Sequence, residues 1–263
     1  MTANATLATA RPRRSLRRLA LTASAGIVLT LLPVTTAGAE TFIDPDDRCL
    51  PPLPGQPDEE VPPAPVADRD QITPVHQPSV DCLFEEGIAT GFTNGTYGPM
   101  QSTTRGQMAT FIINSLLAAG YDLPEAEPTS FTDIQGTTHE DNIEILETIG
   151  VTNGTTATTY SPFALVRRDQ MASYLVQAAE FAFEDDEVPA GEDPAFAVGE
   201  EPVPAFPDVT PANPHYDNVN SGALVLGLLD GKATGLYDPD MNVNREQMAS
   251  FLVRLVDLTL IVE

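Results

Sequence analysis

The sequence predicts a mainly α-helical protein built from three helix-loop-helix repeats behind an extended linker, and three observations carry that reading. Seven residues of one pattern recur as Arg105-Gly106-Gln107-Met108-Ala109-Thr110-Phe111, Arg168-Asp169-Gln170-Met171-Ala172-Ser173-Tyr174 and Arg245-Glu246-Gln247-Met248-Ala249-Ser250-Phe251. Ahead of each arginine, at identical offsets, stand a proline (Pro99, Pro162, Pro239), a tyrosine (Tyr97, Tyr160, Tyr237) and a glycine (Gly91, Gly154, Gly231). Around these marks the apolar residues return at three- and four-residue intervals, the spacing of a helix with one buried face. A pattern that recurs at fixed offsets is read as one supersecondary unit repeated.

Taken in order, residues 1–39 form a separate segment with the three parts of a signal peptide. Arg11, Arg13, Arg14, Arg17 and Arg18 make a basic start, Leu19 to Val34 an apolar stretch, and Ala37-Gly38-Ala39 a cleavage site before Glu40. The alternative, a retained anchor, is disfavoured because the apolar run is interrupted by Gly26 and Pro33 and is short for a span. Cleavage removes five arginines and no acid, so the formal net charge of -25 becomes -25 - 5 = -30. Such a field, with one lysine (Lys232) in the whole chain, excludes nucleic acid as the expected partner. It also makes the position of each remaining arginine informative.

Residues 40–69 are dominated by proline and acids, as in Pro57-Asp58-Glu59-Glu60, and are expected to be a disordered spacer. The two cysteines, Cys49 in this spacer and Cys82 at the start of the first repeat, are expected to form a disulfide in an exported chain. The repeats follow as 70–123, 124–183 and 204–263, with an acidic insert over 184–203 between the second and third.

Within each repeat the first helix follows a histidine, in His76 to Val80, His139 to Ile143 and His215 to Val219. In the second repeat Ile143, Leu146 and Ile149, beside Ile145, mark one helical face that stops near Gly150. Turn residues such as Asn94-Gly95 and Gly235 make the loop. The second helix starts at the arginine, with Met108, Phe111 and Ile112, or Met248, Phe251, Leu252 and Leu255, toward the core. Thr104 with Gln107, and Asn244 with Gln247, fit capping boxes, whereas Arg167 occupies the cap position of the second repeat. Phe131-Thr132-Asp133 and Phe206-Pro207-Asp208 open two repeats. The first repeat offers only Asp70-Gln71-Ile72, without a phenylalanine.

These residues together resemble the S-layer homology family, in the opening Phe-x-Asp, in Gly87-Ile88-Ala89-Thr90-Gly91, in Gly95-Thr96-Tyr97-Gly98-Pro99 and in Thr104-Arg105-Gly106-Gln107. The Arg-x-Gln-Met-Ala wording is similar to a variant of actinobacterial exported proteins. The resemblance implies one pseudo-threefold, helix-rich unit that is secreted to the cell surface. It also implies grooves that bind an acidic secondary cell-wall polysaccharide, with other surface-layer proteins as further partners. On that resemblance Arg105, Arg168 and Arg245 are the glycan-binding residues, with Asp133, Asp208, Gly91, Gly154 and Gly231 beside them. An arginine next to free helix-start amides would offer a carboxylate both a fork of donors and a positive dipole end. The competing reading pairs each arginine with a neighbouring acid such as Asp133 or Asp208.

No catalytic residue, cofactor or metal site is expected, and no membrane contact after cleavage. The histidines occupy equivalent repeat positions, which disfavours a single Ser/His/Asp cluster. Three symmetry-related histidines could meet on a metal, but packing within their own units is the expected role. A second function remains open, in which the repeats assemble with one another or with another surface protein and no glycan is involved.

Overall fold

The recurring histidines and arginines mark where helices begin. In the computed structural model, which describes residues 63–185 and 205–261 apart from Val225, the helices are α1 (Gln77–Glu85), α2 (Arg105–Ala118), α3 (Glu140–Thr148), α4 (Arg168–Asp185), α5 (Tyr216–Leu224) and α6 (Arg245–Ile261). The short helices start one residue after His76, His139 and His215, and the long ones start on Arg105, Arg168 and Arg245. The described residues contain short bridges but no strand of a sheet, and none of their helices is long and apolar enough to cross a membrane. The expected signal peptide, most of the spacer, Cys49 and residues 186–203 of the acidic insert lie outside the described residues.

Local chemistry explains the long-helix starts. Thr104 accepts from the Gln107 amide at 3.3 Å while Gln107 Oε1 accepts from the Thr104 amide at 3.1 Å, a complete capping box. Asn244 and Gln247 repeat it at 3.0 and 3.3 Å. In the second unit Gln170 still reaches back to the Arg167 amide at 3.1 Å, and the missing cap is supplied by Asp169, whose Oδ1 accepts from the Gln170 amide at 2.8 Å. Asp169 is fully buried and also holds the Arg167 guanidinium.

The three long helices pack on one another, and each carries a short helix on its outer side: α3 on α2, α5 on α4 and α1 on α6. Each short helix therefore leans on the long helix of the preceding unit, and α1 on α6 joins the first unit to the last. Met108, Met171 and Met248 are fully buried at the centre, with Ile112, Leu175 and Leu252 beside them. Burying each such side chain stabilises the fold by about 1.5–3 kcal/mol. Just before the long helices three chain segments meet. The Thr103 amide donates to the Val243 carbonyl (2.9 Å), the Val243 amide to the Val166 carbonyl (3.0 Å) and the Val166 amide to the Thr103 carbonyl (3.0 Å), a relay that returns to its start.

The packed part begins upstream of residue 70. Ala64 is buried and donates its amide to Asp81 in α1 at 2.7 Å, and Arg69 pairs with the same carboxylate. Asp68, which the sequence places in the spacer, takes the role expected of Asp70, as described below.

Candidate functional site

Every long helix starts beneath the loop of the following unit. The first two amides of α2 donate to the carbonyls of Ala164 (2.8 Å) and Pro162 (2.8 Å), those of α4 to Met241 (2.9 Å) and Pro239 (3.1 Å), and those of α6 to Gln101 (3.0 Å) and Pro99 (3.1 Å). Since Gln107, Gln170 and Gln247 receive the caps described above, the helix-start amides are not free. The expected anion site on open amides is thereby corrected: a backbone loop already fills that place.

The arginine side chains run under the same loops. Arg105 Nε donates to the Tyr160 carbonyl at 2.8 Å, Arg168 Nε to that of Tyr237 at 2.7 Å and Arg245 Nε to that of Tyr97 at 2.7 Å. In return each tyrosine hydroxyl donates to the backbone carbonyl of its arginine, at 2.9, 2.8 and 2.8 Å. The guanidinium groups lie 4.5 to 4.6 Å from the tyrosine ring centroids. The last aromatic of the recurring pattern also lies close, with Tyr174 at 5.4 Å from Arg105, Phe251 at 5.6 Å from Arg168 and Phe111 at 5.3 Å from Arg245, where Phe92 adds a third ring at 4.6 Å. Arg105, Arg168 and Arg245 are only 6%, 5% and 4% exposed, so these cation–ring contacts are made largely out of water, where each contributes about 2 kcal/mol. Burial pulls the pKa values of Arg168 and Arg245 below their usual range and pushes the three tyrosines upward. Arginine stays cationic through such a shift.

The aspartates do not ion-pair with these arginines. Asp133 accepts from the amides of Tyr160 and Ser161, both at 2.8 Å, and Asp208 from those of Tyr237 (2.9 Å) and Asp238 (2.7 Å). Asp68 does the same for Tyr97 (2.7 Å) and Gly98 (2.8 Å). Desolvation opposes the ionised form of Asp208, but the backbone amides of Tyr237, Asp238 and Asp208 itself, together with the charge of Arg168, outweigh it and its pKa falls. The alternative of a simple arginine–aspartate pair is thus replaced by two linked clamps: the carboxylate holds the loop amides, and the loop carbonyl holds the arginine. Ser161 and Asp238 adopt left-handed φ angles of 61° and 56° where the first unit has Gly98 at 69°.

Gly91, Gly154 and Gly231 are half-buried under aromatic rings. A Cβ at Gly154 would stand 2.4 Å from Phe131 and one at Gly231 2.6 Å from Phe206, and both rings contact the loop tyrosines. At Gly91 the ring is that of Phe84 from α1, which meets Tyr97 edge-on at 5.8 Å. Phe84 fills the place of the phenylalanine missing from the start of the first unit. The sequence shows no sign of this substitution, because the ring comes from another segment.

The histidines hydrogen-bond to the long helix of another unit, where the expectation was a role within their own. His139 Nδ1 lies 2.8 Å from Thr110 Oγ1 in α2, His215 Nδ1 2.7 Å from Ser173 Oγ in α4, and His76 Nδ1 2.8 Å from Ser250 Oγ in α6. No group of described histidine, cysteine or acidic residues is arranged to hold a metal. Cys82 is disulfide-bonded, while Cys49, the other cysteine of the sequence, is outside the described residues.

Residues 72–109 and 130–172 match the S-layer homology domain. The matched S-layer homology segments include the starts of α2 and α4 with Arg105 and Arg168. The chain is 29% identical over 175 residues to S-layer protein EA1 of Bacillus anthracis, covering 66% of this chain and 18% of that protein. It is 27% identical over 179 residues to an S-layer protein of Bacillus thuringiensis subsp. finitimus, covering 67% and 19%. An endoglucanase of Bacillus sp. (strain KSM-635) is 25% identical over 181 residues, covering 68% and 17%. The chain spans less than a fifth of the length of these curated relatives.

Proposed function

We propose that the chain is a non-catalytic anchoring module of the cell surface, in which three S-layer homology repeats form one pseudo-threefold unit that binds acidic cell-wall polysaccharide. The observation that carries this reading is the arginine at the start of each long helix, buried against aromatic rings and fixed through Nε to the loop of the next unit. A cation held in that way is preorganised, so little side-chain entropy is lost when it meets a carboxylate. The stretch shared with proteins named as S-layer proteins and as an endoglucanase is a small part of each. Such a stretch suits attachment better than catalysis. On this reading Asp68, Asp133 and Asp208 shape the grooves through the loop amides, and the glycines let the loops lie close to the rings. A Cys49 to Cys82 bridge would fasten the spacer to α1.

The deciding experiment measures binding of the mature protein to cell walls stripped of protein, before and after chemical removal of the acidic glycan. Binding that disappears with the glycan is expected. Binding that is unchanged by glycan removal would transfer the function to protein-mediated surface assembly.

A further inference from the structure

We propose that the three arginines are not equivalent: Arg105 and Arg245 receive the carboxylate of an acidic sugar, whereas Arg168 is a clasp satisfied from within the fold. The inference rests on the anchoring reading for its biological ligand, but the difference between the sites is carried by their own chemistry.

Each guanidinium has spent Nε on a tyrosine carbonyl, so capacity for a ligand lies in the two Nη groups. No described residue accepts a hydrogen bond from either Nη of Arg105 or Arg245, and none of these Nη atoms is among the buried polar atoms that lack a partner, so they reach solvent although the residues are only 6% and 4% exposed. Donors that reach solvent at the edge of an otherwise buried cation are open to a ligand. Arg168 is different, because its Nη2 donates to the Asp230 carbonyl at 3.0 Å. Asp230 is itself pinned by Arg254.

The charges facing each guanidinium point the same way. Asp238, Asp208 and Asp230 all bear on Arg168, while Asp68 is the one carboxylate that bears on Arg245. The loop over Arg168, residues 230–240, carries Asp230, Lys232, Asp238 and Asp240. The corresponding loops over Arg105 (residues 152–161) and Arg245 (residues 90–98) contain no charged side chain. Over Arg105 the loop presents hydroxyls already aligned with one another: Thr155 Oγ1 lies 2.9 Å from Ser161 Oγ and Thr156 Oγ1 2.6 Å from Thr159 Oγ1. Asp133 stands over Arg105 as Asp208 stands over Arg168, so the carboxylates peculiar to Arg168 are Asp230 and Asp238, whereas a carboxylate approaching Arg105 meets a loop of neutral donors and acceptors of the kind that suit sugar hydroxyls.

Two measurements test the division. In the first, Arg105→Lys, Arg168→Lys and Arg245→Lys are compared for binding to protein-free walls and for thermal midpoint. Arg105→Lys and Arg245→Lys should each weaken binding about tenfold or more, because a point charge cannot reproduce the fork. Arg168→Lys should change binding by less than about twofold while lowering the midpoint most, since it loses two internal hydrogen bonds. An Arg168→Lys protein that folds and loses as much binding as the other two overturns the proposal. The second measurement needs no variant: arginine side-chain NMR signals of the wild-type protein are followed during titration with sodium glucuronate. Movement at Arg105 and Arg245 with Arg168 unmoved supports the division, and equal movement at all three, or at none, refutes it. A protein that ignores walls yet shows glucuronate at Arg105 and Arg245 refutes the anchoring reading and leaves the difference between the sites intact.

Discussion

Replacing Thr103 by valine should stabilise the protein, and the structure gives the size of the effect. Thr103, Val166 and Val243 occupy matching places in the backbone relay, and all three are fully buried. Two of them are apolar, but the Thr103 hydroxyl sits there without a hydrogen-bond partner. The backbone bonds of Thr103 do not involve its side chain, so Thr103→Val leaves them in place and exchanges a desolvated hydroxyl for a methyl of similar shape. Relieving one such group is worth about 1–2 kcal/mol. For a domain of roughly 200 residues each kcal/mol moves the midpoint by about 2–4 °C, so a rise of about 2–8 °C is expected. Differential scanning calorimetry of the wild type and Thr103→Val checks it, with Val166→Thr as the reverse substitution expected to fall by a similar amount. A midpoint that stays put or drops in Thr103→Val would show that the hydroxyl is satisfied and that the argument from matching positions fails.

Three further outcomes are expected. Gly154→Ala places a Cβ 2.6 Å from the Thr159 carbonyl at a φ of 75°, and should cost on the order of 2 kcal/mol or more by urea denaturation, independent of any ligand. Phe84→Ala should cost about 3 kcal/mol in the same assay, comparable with Phe131→Ala, if Phe84 serves the first unit as Phe131 serves the second. Stability should also fall as pH drops below about 6.5. Desolvation lowers the pKa values of His76, His139 and His215, so above 6.5 these groups are neutral in both states and cost nothing. Below it the unfolded chain takes up protons first, and the loss levels off once the folded values are passed. Glu246 opposes this shift at His76 and Asp169 opposes it at His215, so His139→Gln should flatten the pH dependence most clearly. A urea midpoint equal at pH 7.5 and 5.5 would contradict the assignment.

What the sequence made legible was local. The starts of α2, α4 and α6, the capping residues Thr104 and Asn244, and the end of α3 near Gly150 depend on neighbours a few positions away, and all were read correctly. The partners of those residues were not legible, because each is supplied by another unit. Arg245 meets Tyr97 across 148 positions and His76 meets Ser250 across 174, and no spacing rule encodes either pair. Asp68 is an intermediate case. The aspartate-to-tyrosine interval is 27 residues in the second unit and 29 in the third, so Asp70 and Asp68 each matched one of them. Val66, two residues before Asp68, stands where the other units have phenylalanine and erased the signal that would have decided between them.

The relay through Thr103, Val166 and Val243 also acts as a counting device. A stack of repeats that ends in unpaired edges can be lengthened or shortened by duplication, and its stability changes roughly in proportion. Here the third amide finds the first carbonyl, so a fourth unit would arrive with no vacant donor or acceptor to join, and a missing one would leave two buried groups unpaired. If the three units are repeats, as proposed, closure of this kind turns copy number from a variable into a constant, as rotational symmetry does for subunits in a ring. On the proposed three-repeat reading, gene duplication could multiply the whole unit along a longer chain, while the relay within it has places for three.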